Sequence, residues 1–425
     1  MVVAGTRPEL IKLAPVMKSL NELGVDYTFV WSGQHYDYRL SRIFLEQLAL
    51  PNPDENLGVG SGTHAEQTAR LMMALEKVIE RRKPEVVIAE GDTNTVLAAA
   101  MTSTKMGIPF AHVEAGLRSW DRTMPEEINR VVADSLAVMN FAPTELAVVN
   151  LTHEGVDLSR IELVGNTIVD VLMENLPKVE ELKSEILGGL DLEENKFLLV
   201  TVHRQENTDD RARLESIISA LRELSKEVPV VFPIHPRTAS RIREYGTSLE
   251  GIRVVEPLGY LQFLSLLSAC LAVLTDSGGV QEEAFTLGVP AVTLRYNTER
   301  PETVRLGGNF LVGTNREDIV KRTKYVIERR DEISKKIRRT VNPFGDGRSG
   351  ERIAKILASR KFEIRSSDTR ADPYVTYALR RNAVGEEVLS MYNSEGMATA
   401  SRSLAKFVTV RCPVSMLRSE SGSTK

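Results

Sequence analysis

The chain has 425 residues, of which 42% are hydrophobic and 26% are charged, and this composition excludes a disordered or fibrous protein. The formal net charge of −4 gives no reason to expect nucleic acid or an anionic membrane as a partner. The opening residues lack the basic segment, apolar stretch and cleavage site of a secretory signal. The longest apolar run, Leu264 to Leu274, is interrupted by serines and is too short to cross a bilayer. We therefore expect a cytoplasmic protein with enough chain for two domains and no membrane partner.

The two cysteines point to neither a disulfide framework nor a metal cluster. Cys270 lies inside the apolar run and Cys412 lies near the end of the chain. We predict that Cys270 is a small, buried core residue. No pair of histidines has metal-ligand spacing either, so the sequence predicts no metal.

Short apolar runs rich in β-forming residues alternate with amphipathic stretches along most of the chain. This alternation predicts an α/β fold built from parallel sheets, because helices then form the crossovers between strands. Parallel sheets bind ligands beyond the carboxyl ends of their strands, so the loops after the strands are the candidate sites. The predicted strands are Val2 to Ala4, Tyr27 to Trp31, Val86 to Ala89, Phe110 to Val113, Leu198 to Val202, Val230 to Pro233, Ala272 to Thr275 and Ala291 to Leu294.

Two blocks of strands and helices are separated by a long charged helix from Val169 to Leu187. We predict a first domain over residues 1–168 and a second domain over residues 169–345. The segment from Asn342 to Gly347 is a clear turn signal before a final helix, Glu351 to Ser359. Residues 363–425 are rich in Ser and Arg without a sustained period, so we expect a disordered, dispensable tail.

A group of carboxylates follows the strands of the first block. The run from Phe110 to Val113 ends directly in Glu114, and a predicted helix opens with Glu126 and Glu127. If Asp92 lies on the same rim, three or four carboxylates share one pocket, and the pKa of one of them must rise. Such a pocket suits acid and base chemistry. The alternative is that Asp92, Glu126 and Glu127 only cap helices.

Two strand-to-helix turns carry groups that suit a diphosphate. Arg7 opens the first helix and Lys12 follows one turn later, although both side chains could simply be solvated. Ser277, Gly278 and Gly279 lie between an apolar strand and a helix, and their bare backbone N–H groups form an anion cradle. The alternative for this second turn is an ordinary glycine turn that caps the helix.

Further polar groups flank the second turn and the other strand ends. Glu282 or Glu283 could accept hydrogen bonds from ribose hydroxyl groups. His203 and His235 each end a strand of the second block, and His35 has the same placement in the first. The first strand is not followed by G-x-G-x-x-G, so the sequence does not support a nicotinamide cofactor.

Eight motifs now combine into a family resemblance. In order they are GTRPE with Lys12, GDT at Gly91 to Thr93, HVEAGLR at His112 to Arg118, PEExNR at Pro125 to Arg130, GN at Gly165 and Asn166, HRxEN at His203 to Asn207, DSGGxQEE at Asp276 to Glu283 and TERPE at Thr298 to Glu302. Over about residues 1–360 the chain closely resembles the non-hydrolysing UDP-N-acetylglucosamine 2-epimerases. The resemblance implies a GT-B architecture, with two Rossmann-like parallel-sheet domains facing across a cleft. It also implies that the final helix, residues 350–361, packs back on the first domain.

The resemblance assigns roles by motif position. Catalysis would fall to Asp92, Glu114, Glu126, Lys12 and His203. Binding of UDP and the sugar would fall to Arg7, Lys12, Arg130, His203, Ser277, Gly278, Gly279, Glu283 and Arg300. A second UDP-N-acetylglucosamine molecule, acting as an allosteric activator, would lie near Gln34, His35 and Arg204. The resemblance further implies a cytoplasmic homodimer that needs no metal or other cofactor and that feeds surface polysaccharide synthesis.

The implied chemistry answers a physical difficulty. Carbon 2 of the sugar has no adjacent carbonyl, so its proton is not acidic enough for simple removal and return. The family eliminates UDP to give a 2-acetamidoglucal and then adds UDP back with the proton on the other face. The motifs do not assign which carboxylate takes the proton.

Four other functions share parts of this pattern. An epimerase of UDP-2,3-diacetamido-glucuronic acid tends to lack the Thr and Glu of GTRPE, and a GT-B glycosyltransferase would have no use for the carboxylates. A hydrolysing epimerase normally carries a kinase domain, which this sequence does not contain. A nucleotide-sugar sensor would not need Asp92, Glu114 and Glu126 intact.

Overall fold

The computed structural model of the protein describes residues 1–33, 45 and 50–364. The predictions made for Gln34, His35 and residues 365–425 therefore lie outside the described residues. Within these residues the strands form two sheets, and every strand pair in both sheets is parallel. The predicted α/β fold with two parallel sheets is thus confirmed.

The first sheet belongs to the N-terminal part of the chain. Its strands in the described residues are β1 (Val2–Ala4), β2 (Phe29–Trp31), β3 (Glu55–Asn56), β4 (Val87–Glu90), β5 (Phe110–Val113), β6 (Met139–Ala142) and β7 (Ile161–Leu163). They lie in the order β3-β2-β1-β4-β5-β6-β7, so the chain reverses its progress across the sheet between β1 and β4. Such a switch point opens a crevice at the carboxyl ends of the two strands.

The second sheet repeats this arrangement further along the chain. Its described strands are β8 (Leu198–Thr201), β9 (Val230–Pro233), β10 (Arg253–Val255), β11 (Ala272–Thr275), β12 (Ala291–Thr293) and β13 (Asn309–Leu311). Their order is β10-β9-β8-β11-β12-β13, which places the second switch point between β8 and β11. We refer to the two parts as the first and second domain, each defined by its sheet.

Helices fill the gaps between the strands. In the described residues they are α1 (Arg7–Glu22), α2 (His64–Arg82), α3 (Asn94–Lys105), α4 (Pro125–Leu136), α5 (Glu145–His153), α6 (Thr167–Gly189), α7 (Gln205–Thr208), α8 (Arg211–Leu224), α9 (Pro236–Tyr245), α10 (Tyr260–Ala269), α11 (Gly278–Leu287), α12 (Pro301–Arg305), α13 (Arg316–Glu328), α14 (Arg330–Arg339) and α15 (Ser349–Ser359). A 3₁₀ turn covers Leu158–Arg160. The connector predicted from Val169 to Leu187 is α6, which extends two residues further at each end.

The sequence pattern did not predict five of the described strands, namely β3, β6, β7, β10 and β13. Four of these five lie at the edges of the sheets. An edge strand is half exposed, so its sequence need not show a continuous apolar run. The fifth, β6, lies inside the first sheet, but its buried Asn140 interrupts the apolar pattern.

The final helix and the core tie the described chain together. Helix α15 packs against α1, and α6 packs against α1 and α10.

Cys270 is fully buried in the core, as predicted. No helix in residues 1–33 or 50–364 combines the length and the apolar character that a membrane span needs. The domain boundaries at residues 168 and 345 stay predictions.

Candidate active site

Glu114 stands at the carboxyl end of β5, as the sequence predicts. Its backbone has φ +68°, a left-handed conformation that costs free energy for any residue but glycine. The side chain is 7% exposed. Lys12 of α1 donates to one carboxylate oxygen, and Arg300 Nη2 donates to the other at 2.8 Å. Glu114 is therefore a buried carboxylate held between two cations.

The same cations bind two further carboxylates. Lys12 Nζ lies 3.0 Å from Glu90 Oε1, and Arg300 Nε donates to Glu282 Oε1 at 2.8 Å. We call Lys12, Glu90, Glu114, Glu282 and Arg300 the buried ionic cluster. Lys12, Glu90 and Glu114 come from the first domain, whereas Glu282 and Arg300 come from the second. The cluster thus joins the two domains through opposite charges.

The charges of the cluster balance only if it holds a proton. Three carboxylates face two cations, which leaves one excess negative charge in a buried site. Burial raises the pKa of Glu90 well above its usual value despite Lys12, and Glu114 raises it further. Burial alone would raise the pKa of Glu114, but Lys12 and Arg300 hold it well below its usual range. These opposite pKa shifts favour the proton on Glu90 and the charge on Glu114.

Glu282 is the other carboxylate of the buried ionic cluster with a raised pKa. Burial, together with Glu114, raises its pKa to about 7, whereas Arg300 and Lys12 act in the opposite direction. Glu282 Oε2 has no hydrogen-bond partner among the described residues. A group that titrates near neutral pH in a buried site can exchange a proton during a reaction.

Glu9 links the two turns at the first switch point. It is buried on α1 and accepts hydrogen bonds from the backbone N–H groups of Gly5 and Thr6, after β1. Thr93, in the turn after β4, donates to its other oxygen. Burial raises the pKa of Glu9 to about 7. Arg7, at the start of the same helix, is exposed.

Asp92 and Glu126, the other two predicted carboxylates, lie outside the cluster. Asp92 Oδ2 accepts from Arg130 Nε at 3.0 Å. Glu126 is partly exposed, with its side chain 3.9 Å from Arg204. Its neighbour Glu127 is the buried one, and it binds Arg130. Each of the three predicted carboxylates thus faces a cation, and Glu299 connects the partners of Asp92 and Glu126, since it contacts both Arg130 and Arg204.

A second set of buried charges lies beside the cluster. Glu299 accepts two hydrogen bonds of 2.9 Å from Arg295 and one of 3.3 Å from Arg130. Arg204 stands 3.8 Å from the same carboxylate. Burial alone would raise the pKa of Glu299, but Arg204 and Arg295 hold it well below its usual value. Glu299 therefore links Arg130 of the first domain to Arg204 and Arg295 of the second.

The second switch point presents a helix N-terminus beside Arg300. Ser277 is the N-cap of α11, and a Cβ added to Gly278 would lie 3.3 Å from the guanidinium carbon of Arg300. Gly279 has open space where a side chain would stand. Backbone N–H groups and a guanidinium on one side of a crevice suit an anion. The structure thus brings three predicted UDP-binding residues next to the ionic cluster.

Two further predicted residues, His203 and Glu283, lie in the turn after β8 and in α11, at the second switch point. His203 is 41% exposed at its side chain, and its ring centroid lies 6.3 Å from that of His235. Its backbone N–H donates to Asp276 at 3.0 Å, which fixes the turn after β8 against β11. Glu283 is buried beside Tyr260, and burial raises the pKa of Glu283 to about 7.

Sequence reasoning missed two parts of this site. Glu90 ends β4 in the way that Glu114 ends β5, so its placement at a strand end was a signal that could have found it. The sequence suggested that either Glu282 or Glu283 could accept hydrogen bonds from a ribose, but it did not indicate that Glu282 binds Arg300. That contact has no sequence signal, because it depends on how the loop before α12 folds back over α11. Within the described residues, no group of three or more His, Cys, Asp or Glu side chains is arranged to hold a metal ion.

The two parallel sheets and the ionic cluster between their strand ends define the class of protein, an α/β enzyme of GT-B architecture. The sequence profile described as UDP-N-acetylglucosamine 2-epimerase matches residues 18–358. The chain belongs to this family of isomerases.

Individual relatives agree with the family assignment. The UDP-N-acetylglucosamine 2-epimerase of Methanocaldococcus jannaschii is 46% identical over 371 residues, which cover 85% of this chain and 99% of the relative. A crystal structure of the UDP-GlcNAc 2-epimerase from that organism, in complex with UDP-GlcNAc and UDP, has a TM-score of 0.79 at 45% identity and covers 84% of this chain and 99% of its own. The UDP-2,3-diacetamido-2,3-dideoxy-D-glucuronate 2-epimerase of Pseudomonas aeruginosa is 41% identical over 360 residues, covering 84% of this chain and 99% of the relative.

Proposed function

We propose that this chain converts UDP-N-acetylglucosamine reversibly into UDP-N-acetylmannosamine by epimerising carbon 2 of the sugar. The observation that carries the proposal is Glu114, an ionised carboxylate buried between cations from both domains. The relative with 46% identity bears the name of this activity, and a structure at 45% identity contains UDP-GlcNAc and UDP.

The reaction proceeds by elimination and re-addition. A base removes the proton from carbon 2, the electron pair of that C–H bond forms the C1–C2 double bond, and the C1–O bond breaks with its electrons on UDP. Re-addition of the UDP oxygen to carbon 1 is accompanied by return of a proton to carbon 2 from the opposite face. No oxidant or reductant is consumed, because the addition returns the proton and the UDP that the elimination removes.

Named residues supply what each step requires. Glu114 is ionised, and it becomes a stronger base when Lys12 and Arg300 turn from it to the diphosphate. These two cations and the N-terminus of α11 suit the diphosphate that leaves. Elimination puts extra negative charge on UDP, and these groups would stabilise it. Asp92, Glu126 and His203 lie around the same crevice and are the remaining candidates for proton transfer.

The substrate alternative is the UDP-2,3-diacetamido-glucuronic acid epimerase, which is favoured by the 41% identical relative from Pseudomonas. Its sugar carries a carboxylate, so turnover of that substrate alone would overturn our choice. The glycosyltransferase alternative predicts transfer of the sugar to an acceptor and no exchange of the proton on carbon 2.

The test is proton NMR of the purified protein with UDP-N-acetylglucosamine in heavy water. We expect deuterium at carbon 2 and a UDP-N-acetylmannosamine signal that grows to a fixed ratio. Glu114→Gln should slow the exchange by about a hundredfold or more, because a general base contributes that much. Glu55→Gln, in an exposed ion pair with Arg82, is the control and should exchange at the normal rate.

Two outcomes would contradict the proposal in different ways. A sugar that keeps its proton, with no new nucleotide sugar, would exclude epimerisation of this substrate. Normal exchange in the Glu114→Gln variant would leave the activity intact but would remove Glu114 as the base. The diacetamido substrate should be tested in the same way with the same variants.

The wider assignment rests on the family resemblance. We propose a cytoplasmic homodimer whose product feeds surface polysaccharide synthesis and whose substrate also acts as an activator. Of the residues predicted to hold the activator, Arg204 lies near Glu126 and Glu299. A sigmoidal dependence of the rate on UDP-N-acetylglucosamine would support the activator, and hyperbolic kinetics would exclude it.

A further inference from the structure

The polypeptide passes between the two domains at two points that touch each other. The first crossing follows β7 and contains Gly165 and Asn166, and the second contains Phe344 and leads to Ser349 at the start of α15. Asn166 N–H donates to the Phe344 carbonyl oxygen at 2.7 Å. Gly165 has φ +92°, and a Cβ there would lie 2.6 Å from Ser349 Oγ. The two crossings are therefore locked together at a single place, which forms the hinge of the molecule.

The side chain of Asn166 leaves this hinge and enters the buried ionic cluster. It is 2% exposed, and its Oδ1 accepts from the Ile168 N–H at 3.1 Å, which caps α6. Its Nδ2 donates to Glu282 Oε1 at 2.9 Å and to Glu114 Oε2 at 3.3 Å. One amide thus caps the connecting helix and binds one carboxylate from each domain.

Only an amide of this length satisfies all of these contacts. The oxygen must accept a hydrogen bond from the helix while the nitrogen donates to two carboxylates. An aspartate would cap the helix but would add a negative charge beside Glu114 and Glu282. A serine would also cap the helix, but it is too short to place a donor between the two carboxylates.

The other bridge between Glu114 and Glu282 is Arg300, at 2.8 Å from each. Under the proposed function, Arg300 also faces the diphosphate, so part of its charge is drawn toward UDP during elimination. The Asn166 amide is neutral and lies on the hinge side, so its two hydrogen bonds persist while Arg300 is shared. The glucal intermediate and UDP are not covalently attached to the protein at that stage and escape if the domains part.

We propose that Asn166 is a positioning residue that keeps the two domains closed around the intermediate by joining Glu114 to Glu282 at the hinge. This inference rests on the proposed function and deepens it. It makes a specific prediction, because premature opening releases free UDP that the complete reaction does not produce.

The experiment compares Asn166→Ala, Asn166→Ser and Asn175→Ala with the unmodified protein. Asn175 is the matched control, since it is a buried asparagine on the same helix whose amide donates to the Val171 carbonyl oxygen. We measure free UDP released per UDP-N-acetylmannosamine formed, together with kcat, KM and Tm. Hydrogen exchange of the segments around Glu114 and Glu282, with and without UDP, reports closure independently of turnover.

Both Asn166 variants should release free UDP at a ratio raised by about tenfold or more, since a hydrogen bond to a charged group is lost on each side of the cleft. Their kcat should fall more than their KM rises, and UDP should protect their two segments less. Asn166→Ser should keep a Tm near that of the unmodified protein because it retains the helix cap. Asn175→Ala should lose stability without releasing UDP.

Two results would overturn the inference. A normal UDP ratio and normal protection in Asn166→Ser would show that Asn166 serves only as a helix cap, and equal leakage from Asn175→Ala would show general destabilisation. If the unmodified protein does not epimerise the substrate at all, the proposed function fails. The exchange measurement then still decides whether Asn166 holds the domains closed around UDP.

Discussion

Lys12 is the cation on which the first-domain half of the ionic cluster depends. Burial alone would lower its pKa, but Glu114 and Glu90 raise it, so the ammonium group stays charged. Burying two carboxylates next to one ammonium is costly unless one of them keeps its proton. Lys12 lowers the pKa of both carboxylates, and the second cation on Glu114, Arg300, favours Glu114 over Glu90 as the ionised one.

The raised pKa of another buried acid, Glu9, leads to a prediction of how the stability of the protein depends on pH. Burial raises the pKa of Glu9 from 4.5 to about 7, so the folded protein binds more protons than the unfolded chain between these values. The contribution of Glu9 to the free energy of unfolding therefore falls as the pH rises from 4.5 to 7. Glu9→Gln should remove this loss and raise the free energy of unfolding by about 3 kcal/mol above pH 7, with almost no effect near pH 4.5. Urea unfolding at pH 4.5 and pH 8 measures the difference.

The matched control for this prediction is Glu66→Gln. Glu66 has the same capping-box position in α2 that Glu9 has in α1, but it is exposed, and backbone hydrogen bonding by Thr63 lowers its pKa. Its replacement should give no gain in stability at high pH. The prediction would be contradicted if Glu9→Gln changed the free energy of unfolding by the same amount at pH 4.5 and at pH 8.

The contact between α15 and α1 depends on one glycine. A Cβ added to Gly350 would lie 2.6 Å from the carbonyl carbon of Pro15, so the two helices touch backbone to backbone. The Gly350 N–H donates to Asp170 Oδ1 at 2.7 Å, which ties the start of α15 to α6. The end of the described chain is thus held on the first domain by steric fit and by a cap from the connector.

We predict that Gly350→Ala destabilises the protein by about 1–3 kcal/mol, because the added methyl group forces the helices apart. Gly188→Ala is the control, since no atom lies within 4 Å of the position of its Cβ at the end of α6. The control should be neutral or slightly stabilising, as alanine favours a helix. Urea unfolding of both variants compares them directly, and equal values would show that the contact is not tight.

At the scale of the whole molecule, polar contacts hold the two domains against each other. They include Glu114 with Arg300 at 2.8 Å, Arg130 with Glu299 at 3.3 Å, and Thr144 Oγ1 donating to Glu302 at 2.6 Å. The first two involve residues that we propose to act on the substrate. The groups that would bind UDP-sugar are therefore also the groups that close the cleft, and substrate binding and closure are expected to compete for the same charges.

We predict that a chain ending at residue 364 retains the activity. The family profile ends at residue 358, and the relative from Methanocaldococcus jannaschii is covered over 99% of its length by 85% of this chain. Epimerisation rate and Tm should both match those of the full chain when measured side by side. Loss of exchange at carbon 2 in the shortened protein would show that residues 365–425 contribute to the site.

The sequence alone determined the class of fold and predicted the strand-end loops in which the candidate site lies. Continuous apolar runs mark strands buried on both faces; Glu114 and His203 follow such runs directly, and Ser277 follows one after Asp276. These signals are local, since a strand, its end and the turn after it occupy a few consecutive residues. The resemblance to the epimerase family rests on the same strand-end loops, and the family profile confirms it.

Only the tertiary structure decided which charges meet. Arg300 contacts Glu114 across 186 positions of the chain, and Asn166 contacts Glu282 across 116. The sequence indicated a pocket shared by Asp92, Glu114 and Glu126 or, alternatively, simple helix caps, but it could not name the cation that each of them faces in the structure. The pKa of a buried carboxylate depends on desolvation and on charges a few ångströms away. Those neighbours come from distant segments, so no local pattern in the sequence could reveal that the pKa of Glu90 is raised while that of Glu114 is lowered.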